Sequence, residues 1–599
     1  KIRKANSMCR ITGFISPTFN QSDLTRMRDS MHRGGPDDAG IYHDPAQHVF
    51  LGHRRLALID LTPAGHQPMT DPTGRLQIVY NGEIYNFKEI KSELISLGKS
   101  FHTQSDTEVI LQSYLQWGTN CFDRFNGMFA LALYDKLENK LILARDHAGI
   151  KPLYYSIQKD QIYFASEIKA FKALKPDWKE RSDWKVYFLA FGHLPEPITT
   201  LEGVVPLPKG TFLEYNLEDK KHTVKRYYHY IHTAYTQNKP EEIFDELRTV
   251  LKAAVQRHLI SDAPIGLFLS GGIDSSLLTL LAQPHLGNHL KTLSIYFSEE
   301  KYSEKKYQDI IIKKTGAHHQ SFLVTAQVFN HSLPDALSAM DQPTTDGINS
   351  YFISKYAHEY GLTAVLSGIG ADELFGGYPS IKMSAWKTAL QKLPSSILSL
   401  SSHAQADRFK KIAYLTHSSS TYDYLFYRGL HDTLTISDIL DMDESEVIHK
   451  LDAIHPIHWN GETPKEKASD IEYHLYMQNQ LLRDADFMSM WHALEIRVPF
   501  LDKNVIALAR SLPPALRFSD VKPKYALTEA FKDILPIEIW NRPKQGFTFP
   551  FAMWMKDSEL AKPANKKEEK YFQQFESGKM SWSRYWGIVL TTENAKFNH

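Results

Sequence analysis

Apolar residues recur along the chain in two different rhythms. From Cys9 to about residue 215 they form short runs separated by turns, such as 77–80 and 141–144, which is typical of strands. From about residue 241 they first follow helical spacing, and then strands (292–297, 362–366) alternate with a helix (304–314). Alternation of this kind predicts a parallel sheet. Because 599 residues are too many for one core, the pattern predicts two domains of different construction.

The segment 265–278 carries the clearest local signal. An apolar run to Leu269 predicts a buried strand, Ser270-Gly271-Gly272 predicts a tight turn, and a helix is expected from Ile273. Glycines allow a close backbone approach, and the N–H groups that open a helix attract an anion. Hydroxyls of Ser270 and Ser275 add donors, and Asp274 is a candidate ligand for Mg²⁺ on the same phosphates. The alternative is a Gly/Ser turn with no ligand; the spacing is not that of the common Lys-containing nucleotide loop.

Composition excludes several classes of protein. The chain has 69 basic and 69 acidic residues, so nothing indicates a nucleic-acid or anionic-membrane partner, and small substrates fit better. The two cysteines, Cys9 and Cys121, exclude a disulfide framework and suit a reducing cytosol. With no apolar run long enough to cross a bilayer, a cytoplasmic protein is expected.

The beginning of the chain suggests a catalytic thiol. Residues 1–7 are basic and polar, and we interpret 1–8 as a tag or leader whose removal after Met8 would leave Cys9 first. A thiol with a pKa of about 8.5 needs a base, and an α-amino group with a pKa of about 8 is partly neutral at working pH. An N-terminal Cys9 would therefore carry both nucleophile and base. Alone, Cys9 would be interpreted as a small buried hydrophobe.

Residues 9–215 resemble the class II glutamine amidotransferase domain. The matching segments are 8–9, 32–37, 51–56, 80–86, 105–108, 127–130, 144–146, 149–155 and 164–167. The resemblance implies an N-terminal-nucleophile fold, in which two stacked sheets lie between helical layers. It departs from the family pattern at Arg10, where Gly is usual, and at Gly34-Gly35, which adds one residue to a loop.

The resemblance also implies roles at the glutamine site. Cys9 would attack the side-chain amide of glutamine, while Asn81 and the N–H of Gly82 would hold the developing oxyanion. Arg55 would pair with the α-carboxylate of glutamine. Asp106, with Glu83 nearby, would receive the α-ammonium. The products would be glutamate and ammonia.

The second half resembles asparagine synthetase and the ATP pyrophosphatases. The matches are 270–276, 367–378, 481–484, 488–490, 495–502, Lys524 and 542–547. They imply a doubly wound parallel sheet with added helices, so that the whole chain combines α/β and α+β architecture. The ATP-binding residues implied are Leu267, Ser270, Gly271, Gly272, Asp274, Ser275, Ile295, Ser367 and Gly368. Asp372 would join Asp274 on Mg²⁺, and Lys544 would stabilise charge on the α-phosphate.

We interpret the chain as a glutamine-dependent amidotransferase. ATP would adenylate a carboxylate, and ammonia released at Cys9 would displace AMP to give an amide, with aspartate the first candidate acceptor. Ile369 stands where the family usually has Glu, and the 341–350 segment also departs from expectation, so a sugar acid or another carboxylate stays open. A glutaminase, a regulatory ATP- or glutamine-binding protein and a synthetase that uses free ammonia also stay open.

The predicted organisation is 9–215 for the glutaminase domain, 216–240 for a linker, 241–556 for the synthetase domain and 557–599 for a charged tail. A homodimer is expected only from the resemblance.

Overall fold

The computed structural model describes residues 9–55, 62–175, 178–229, 239–404, 407–454, 461–543 and 549–592. Its strands in the first half are β1 (Arg10–Ile15), β2 (Asp38–Asp44), β3 (Val49–Arg55), β4 (Met69–Thr70), β5 (Leu76–Ile84), β6 (Gly127–Asp135), β7 (Lys140–Arg145), β8 (Tyr154–Gln158), β9 (Gln161–Ala165), β10 (Val205–Pro206), β11 (Thr211–Asn216) and β12 (His222–Arg226). In the second half they are β13 (Ile265–Phe268), β14 (Lys291–Phe297), β15 (His318–Val324), β16 (Ala364–Leu366) and β17 (Glu495–Arg497).

The helices of the first half are α1 (Gln21–Asp29), α2 (Phe87–Ser96), α3 (Asp106–Trp117), α4 (Cys121–Arg124), α5 (Lys169–Leu174) and α6 (Trp184–Phe191). Those of the second half begin with α7 (Pro240–His258), α8 (Ile273–Leu286), α9 (Lys305–Thr315), α10 (Ala326–Ala339), α11 (Ile348–Glu359), α12 (Ala371–Phe375), α13 (Pro379–Leu390), α14 (Ser395–Leu400), α15 (Asp407–Lys410), α16 (Ser420–Arg428), α17 (Thr433–Leu440), α18 (Glu444–Asp452) and α19 (Pro464–Ile471). After a π-helical segment (Glu472–Leu482) follow α20 (Arg483–Trp491), α21 (Lys503–Ser511), α22 (Pro514–Arg517), α23 (Tyr525–Ala530), α24 (Ile537–Trp540), α25 (Phe551–Trp554), α26 (Lys566–Glu576) and α27 (Trp582–Thr591).

The first half is a four-layer sandwich. One antiparallel sheet runs β10-β8-β9-β1-β3-β2 and the other runs β12-β11-β7-β6-β5-β4. Apolar side chains from both sheets, among them Ile11, Leu51 and Leu143, form the core between them. The outer faces pack against α1 and α5 on one side and α2 to α4 on the other. Two helical layers around two sheets confirm the predicted architecture.

The second half is built on a parallel sheet. Its order is β15-β14-β13-β16-β17, and every pairing in it is parallel. The strand predicted at 292–297, the helix at 304–314 and the strand at 362–366 are confirmed as β14, α9 and β16. Since ligands bind at the carboxyl ends of such strands, the turns after β13 and β16 occupy the expected position.

Two segments differ from the sequence-based picture. The predicted linker carries β12, which pairs with β11, so the second sheet extends to Arg226. The predicted tail contains α26 and α27, and α27 buries Tyr585, Trp586 and Leu590. The sequence-based prediction of a tail rested on the run of charges at its start. The apolar stretch that follows those charges packs into the main hydrophobic core.

Candidate active sites

The glutamine-side candidates Cys9, Asn81 and Gly82 lie in or next to two contacting strands, β1 and β5. Half-buried Cys9 precedes β1, next to an apolar cluster that includes Ala364 and Met490 of the second half. Asn81 and Gly82 lie in β5, and this strand contacts β1 across the sandwich. The fold therefore brings the strand that follows the thiol into contact with the strand that carries the predicted oxyanion donors.

Asn81 is the clearest sign of a ligand in this region. Its side chain is fully buried, and neither Nδ2 nor Oδ1 has a hydrogen-bond partner among the described residues. A buried amide without partners costs roughly 1–3 kcal/mol of stability, so a site that retains one is expected to satisfy it with a ligand. The neighbouring Gly82 has φ +150°, and a Cβ there would lie 2.0 Å from the carbonyl oxygen of Met128. Only glycine fits this backbone.

Carboxylates and an arginine surround the same strand. Asp106, the first residue of α3, accepts hydrogen bonds from Tyr80 Oη at 2.8 Å and Ile84 N at 3.0 Å. Burial raises the pKa of Asp106 to about 6. Burial also raises the pKa of Glu83 well above its ordinary value, although Arg497 lies 3.5 Å away. A cationic ligand group would relieve the cost of both buried charges.

Arg55 ends β3 and is buried, and its Nη1 donates to the carbonyl oxygen of Thr62 at 2.9 Å. Residues 56–61 between these two positions lie outside the described part of the chain. The structure therefore places Arg55 on the sheet that carries Cys9, and its role stays a prediction.

The ATP-side candidates form a second cluster at the carboxyl edge of the parallel sheet. Ser270 Oγ and Ser275 Oγ lie 3.0 Å apart, and the N–H of Gly272 donates to Ser270 Oγ at 3.3 Å. Gly271 has φ +81°, a conformation that favours glycine. The turn leads into α8, with Gly272 as its N-cap and Asp274 in its first turn. A concave turn with donors at a helix N-terminus is the geometry predicted for phosphate binding.

The two Gly-rich turns touch each other. A Cβ on Gly368 would lie 2.7 Å from the Cβ of Asp274, so only glycine allows this approach. Ser367 follows β16, while Leu267 and Ile295 are buried in the neighbouring strands β13 and β14. All the ATP-side candidates except Lys544 thus belong to this edge; Lys544 lies outside the described residues.

Lys524 joins the two predicted metal ligands. Its Nζ lies 2.5 Å from Asp274 Oδ1 and 2.7 Å from Asp372 Oδ1. Burial alone would lower the pKa of Lys524, but the two carboxylates raise it above its ordinary value. No role for Lys524 was predicted from the sequence. Its match to the family and its place in a short polar loop were the available signals, whereas its position between the aspartates depends on the tertiary fold.

Asp274 and Asp372 suit a divalent cation. Both contact a single positive atom, Lys524 Nζ, so one ion can be reached by both carboxylates. Hard carboxylate oxygens are the ligands that Mg²⁺ prefers, usually together with substrate phosphates. Within the described residues no group of three or more His, Cys, Asp or Glu side chains converges as a metal site. A phosphate-bearing ligand would have to complete the coordination.

Arg542 and Glu304 frame the phosphate turn. Arg542 Nη2 donates to the carbonyl oxygen of Gly271 at 3.0 Å and pairs with Glu304 Oε1 at 2.8 Å. Arg542 lies just before the undescribed segment 544–548, and it is a second residue of this cluster to which the sequence pattern assigned no role.

Arg10 connects the two halves of the chain. The residue is fully buried, and its guanidinium pairs with Glu167 Oε1 at 2.5 Å and with Asp486 Oδ2 of α20 at 2.8 Å. A Cβ on Gly34 would lie 2.9 Å from Arg10 Cγ. The two departures from the family pattern are therefore linked, because the larger side chain at position 10 needs a glycine in the loop that covers it.

The interface continues through further buried charges. Lys151 lies 3.4 Å from Asp486 and 3.9 Å from Glu495, and Glu495 pairs with Arg497 at 2.6 Å. Asn126 also donates to a carboxylate across the interface, Asp502 Oδ2, at 3.0 Å. These contacts fix the thiol-bearing sandwich against the parallel-sheet half.

The fold and the two clusters define an amide-forming ligase with an attached glutaminase. Comparison with known proteins identifies the family: the glutamine amidotransferase domain model matches residues 8–228, and the asparagine synthase model matches 246–574. The chain belongs to the asparagine synthase family. It is an ATP-dependent enzyme that uses glutamine for amidation.

Three relatives illustrate the similarity. The glutamine-hydrolysing asparagine synthetase 1 of Bacillus subtilis is 31% identical over 579 residues, which covers 92% of this chain and 88% of that protein. A putative glutamine-hydrolysing asparagine synthetase of Mycobacterium tuberculosis is 31% identical over 562 residues, covering 90% and 86%. Amidase chry2 of Gibberella zeae is 27% identical over 642 residues, covering 93% and 92%.

Proposed function

We propose that the enzyme converts aspartate to asparagine. Relatives named asparagine synthetase, at 31% identity over nine-tenths of the chain, support aspartate as the acceptor. The observation that carries the proposal is the presence of two clusters in one molecule. One is an unsatisfied buried amide on a strand that contacts the strand after Cys9, and the other is a pair of aspartates at the turn predicted to bind phosphate.

In the first reaction Cys9 Sγ attacks the side-chain carbon of glutamine. Asn81 Nδ2 and the N–H of Gly82 stabilise the negative oxygen, Arg55 holds the α-carboxylate, and Asp106 with Glu83 holds the α-ammonium. Ammonia leaves, and water then releases glutamate from the sulfur. The unpartnered Asn81 supports this assignment, because an oxyanion would supply the missing partner of its N–H₂ group.

In the second reaction a carboxylate oxygen of the acceptor attacks the α-phosphorus of ATP, and pyrophosphate leaves. The turn 270–275 holds the phosphates, Ser367 and Gly368 line the nucleotide, and Leu267 and Ile295 lie against the adenine. Asp274 and Asp372 would hold Mg²⁺, which would neutralise phosphate charge. Lys544 is assigned to the α-phosphate. Ammonia then attacks the acyl carbon and AMP leaves.

A small cavity between the halves supports an internal route for ammonia. Apolar groups make up most of its lining, which consists of Ile150, Lys151, Leu482, Ala485, Asp486, Ser489, Ile496 and Val498. Apolar surroundings disfavour the charged ammonium form, so this part of the interface would help to keep ammonia nucleophilic.

A second acceptor class is favoured by one residue. Ile369 is half-buried, packs against the core and offers no proton acceptor where the family usually has Glu. One relative, named an amidase rather than an asparagine synthetase, matches nearly the whole chain. A sugar acid or other carboxylate is the alternative substrate.

Location and assembly are proposed on narrower grounds. The described residues contain no helix with the length and apolar character of a membrane span. A cytoplasmic location is proposed from the low cysteine content of the chain, and a homodimer is proposed from the family alone.

The test uses protein with Cys9 at its N-terminus, supplied with ATP, Mg²⁺ and glutamine. Pyrophosphate release is measured with aspartate, with sugar acids and without acceptor, and products are identified by mass. Aspartate-stimulated release with formation of asparagine is expected. If glutamine is hydrolysed while aspartate changes nothing, the aspartate assignment is wrong; stimulation by another carboxylate would then identify the acceptor. The variant Ile369→Glu tests whether the apolar residue determines that choice.

A further inference from the structure

Helices α13 and α14, together with Phe409, present large apolar side chains to water. We call this the 383–409 surface. Its exposed members are Trp386 (72%), Leu400 (71%), Ile397 (52%), Phe409 (46%), Leu393 (42%) and Met383 (38%). Single exposed apolar residues are ordinary, but several of them close together along one short segment are typical of an interaction site.

The orientation of α13 is the reverse of a usual surface helix. It buries Ser380 and Ser384 on either side of Ile381, while it exposes Met383 and Trp386. Ser380 Oγ donates a hydrogen bond to Glu472, whose other oxygen pairs with Arg428 Nε. Because buried polar groups must keep their partners, these contacts hold the small polar face inward. No part of the described chain covers the apolar face.

Helix α14 repeats this arrangement. Leu398 points into the core, whereas Ile397 and Leu400 on either side of it are more than half exposed. The helix packs against the segment Lys411–Thr416, and α13 packs against α19. Both helices are therefore anchored from one side, and their outer sides share an apolar character.

Basic residues outnumber acidic ones around this surface. No Asp or Glu stands between Glu373 and Asp407, whereas Lys382, Lys387 and Lys392 do, in a chain with equal numbers of acidic and basic residues. Lys382 and Lys392 are exposed, and so is Lys467 on the adjoining α19. Lys387 is neutralised by Asp423. Apolar side chains among uncompensated lysines are complementary to a partner that is apolar inside and anionic outside.

A second copy of this chain does not meet that description. A symmetric contact through the 383–409 surface would place Lys382 and Lys392 of one copy against the same lysines of the other, and this repulsion opposes dimerisation. A bilayer with anionic headgroups satisfies both properties at once.

We propose that the 383–409 surface docks the enzyme on an anionic lipid membrane. Trp386, Ile397 and Leu400 enter the boundary between headgroups and acyl chains, while Lys382 and Lys392 contact the headgroups. The attachment is peripheral and reversible. It does not depend on the identity of the acceptor carboxylate.

The test is flotation of the full-length enzyme with vesicles of phosphatidylcholine alone or with a quarter of phosphatidylglycerol. Binding is expected only to the anionic vesicles and is expected to weaken with added salt. The double variant Trp386→Ser/Leu400→Ser should lower the bound fraction at least about fivefold, and Lys382→Glu/Lys392→Glu should lower it by a similar factor. Leu137→Ser and Val521→Ser, which change side chains 70% and 77% exposed elsewhere, are the matched controls and should bind like wild type.

Glutamine hydrolysis is measured for each variant to show that it is folded, and all are expected to retain it. No binding to anionic vesicles, or binding that the two double variants leave unchanged, overturns the proposal. A concentration-dependent dimer in wild type that Trp386→Ser/Leu400→Ser abolishes would show that the surface joins two copies instead.

Discussion

The two candidate sites differ in whether their key polar groups have partners within the protein. At the glutamine site the key polar group is buried and unsatisfied: Asn81 has no partner within the described structure. At the ATP site the key charges are satisfied from within, because Lys524 contacts both Asp274 and Asp372. The glutamine site therefore contains an unpartnered neutral amide, whereas the ATP site already contains a cation between its carboxylates.

This difference follows from the charges of the ligands. A glutamine amide brings no net charge to the thiol, so a neutral side-chain amide is enough to receive it. Leaving that amide buried without a partner costs roughly 1–3 kcal/mol of stability. Two partly buried aspartates without a cation would repel each other, and the expected cost of leaving such charges unpaired is larger. Lys524 prevents that cost before the cation and nucleotide arrive. Binding of the proposed Mg²⁺ would therefore require movement of the lysine.

Among the variants, Cys9→Ala is expected to produce the largest difference between the activities of the two sites. Loss of the nucleophile should reduce glutamine hydrolysis at least about a thousandfold, while pyrophosphate release with ammonium as the nitrogen source continues. Glutamate formation and pyrophosphate are measured side by side. Cys121→Ala removes the other thiol, which is buried away from the site, and should leave hydrolysis intact. Equal loss of both activities in Cys9→Ala would mean that the sites do not act separately.

Asn81→Ala tests the role of the buried, unpartnered amide at the glutamine site. Removal of one oxyanion donor is expected to lower the kcat of glutamine hydrolysis about 100- to 1,000-fold. Because the side chain of Asn81 makes no hydrogen bond in the described structure, its loss should not lower thermal stability. The melting temperature is measured together with kcat. A large fall in melting temperature would show that Asn81 has a structural partner, and the contrast between the two sites would then be lost.

Lys524→Met tests the role of the ammonium group that lies between the two aspartates of the ATP site. Pyrophosphate release should fall roughly a hundredfold, because Asp274 and Asp372 then repel each other and the phosphates lose a positive neighbour. Glutamine hydrolysis should persist. Lys522→Met changes a lysine two positions away that pairs with Glu529, and it should leave pyrophosphate release unchanged. A normal rate in Lys524→Met would remove the lysine from the ATP site.

Sequence patterns predicted most of both candidate sites because their residues lie in short contiguous motifs. Asn81 and Gly82 occupy one strand and were assigned through the resemblance of residues 80–86 to a known family. The turn after Leu269 follows the order strand, glycine pair, helix, and there local chemistry was sufficient to indicate an anion site. What the sequence could not give was contact between distant motifs. The position of Lys524 between two aspartates depends on how α12 and α23 pack, and no local pattern encodes it.

The same limit explains Arg10. From the sequence it was an unexplained departure beside the nucleophile, and the extra glycine at position 34 was a second one. The structure joins them, since the arginine reaches across to Asp486 and Gly34 leaves room for it. The link between the two positions is spatial, so a single sequence displays both changes without the contact between them.

Arg10→Met tests the connection between the two regions. Glu167 would keep Lys169 and Asp486 would keep Lys151, but each buried carboxylate would lose its pairing with Arg10, which is expected to lower the free energy of unfolding by about 1.5–3 kcal/mol. Urea-induced unfolding measures the change. Arg33→Met, at a partly exposed arginine that stacks on Trp491, is the matched control and should cost less than about 1 kcal/mol. An equal cost in both variants would exclude a special role for the buried pairs.

The smallest expected effect is a pH dependence confined to the glutamine side. Burial raises the pKa of Asp106 to about 6, and only the ionised form can receive the α-ammonium of glutamine. The ionised fraction rises with pH, so the KM for glutamine should increase as pH falls through 6. Relative to pH 8, a single titration predicts an increase in this KM of about twofold at pH 6 and about tenfold at pH 5.

Two variants serve as controls for this prediction. Asp106→Asn should have a high KM for glutamine that no longer changes in this pH range. Glu89→Gln, at an exposed position on α2, should show the same pH dependence as wild type. The KM for ATP serves as the internal reference, because the ATP-site carboxylates are paired with Lys524 and Asp106 does not reach them. If both KM values rise together on acidification, the pH effect belongs to the whole fold and not to Asp106.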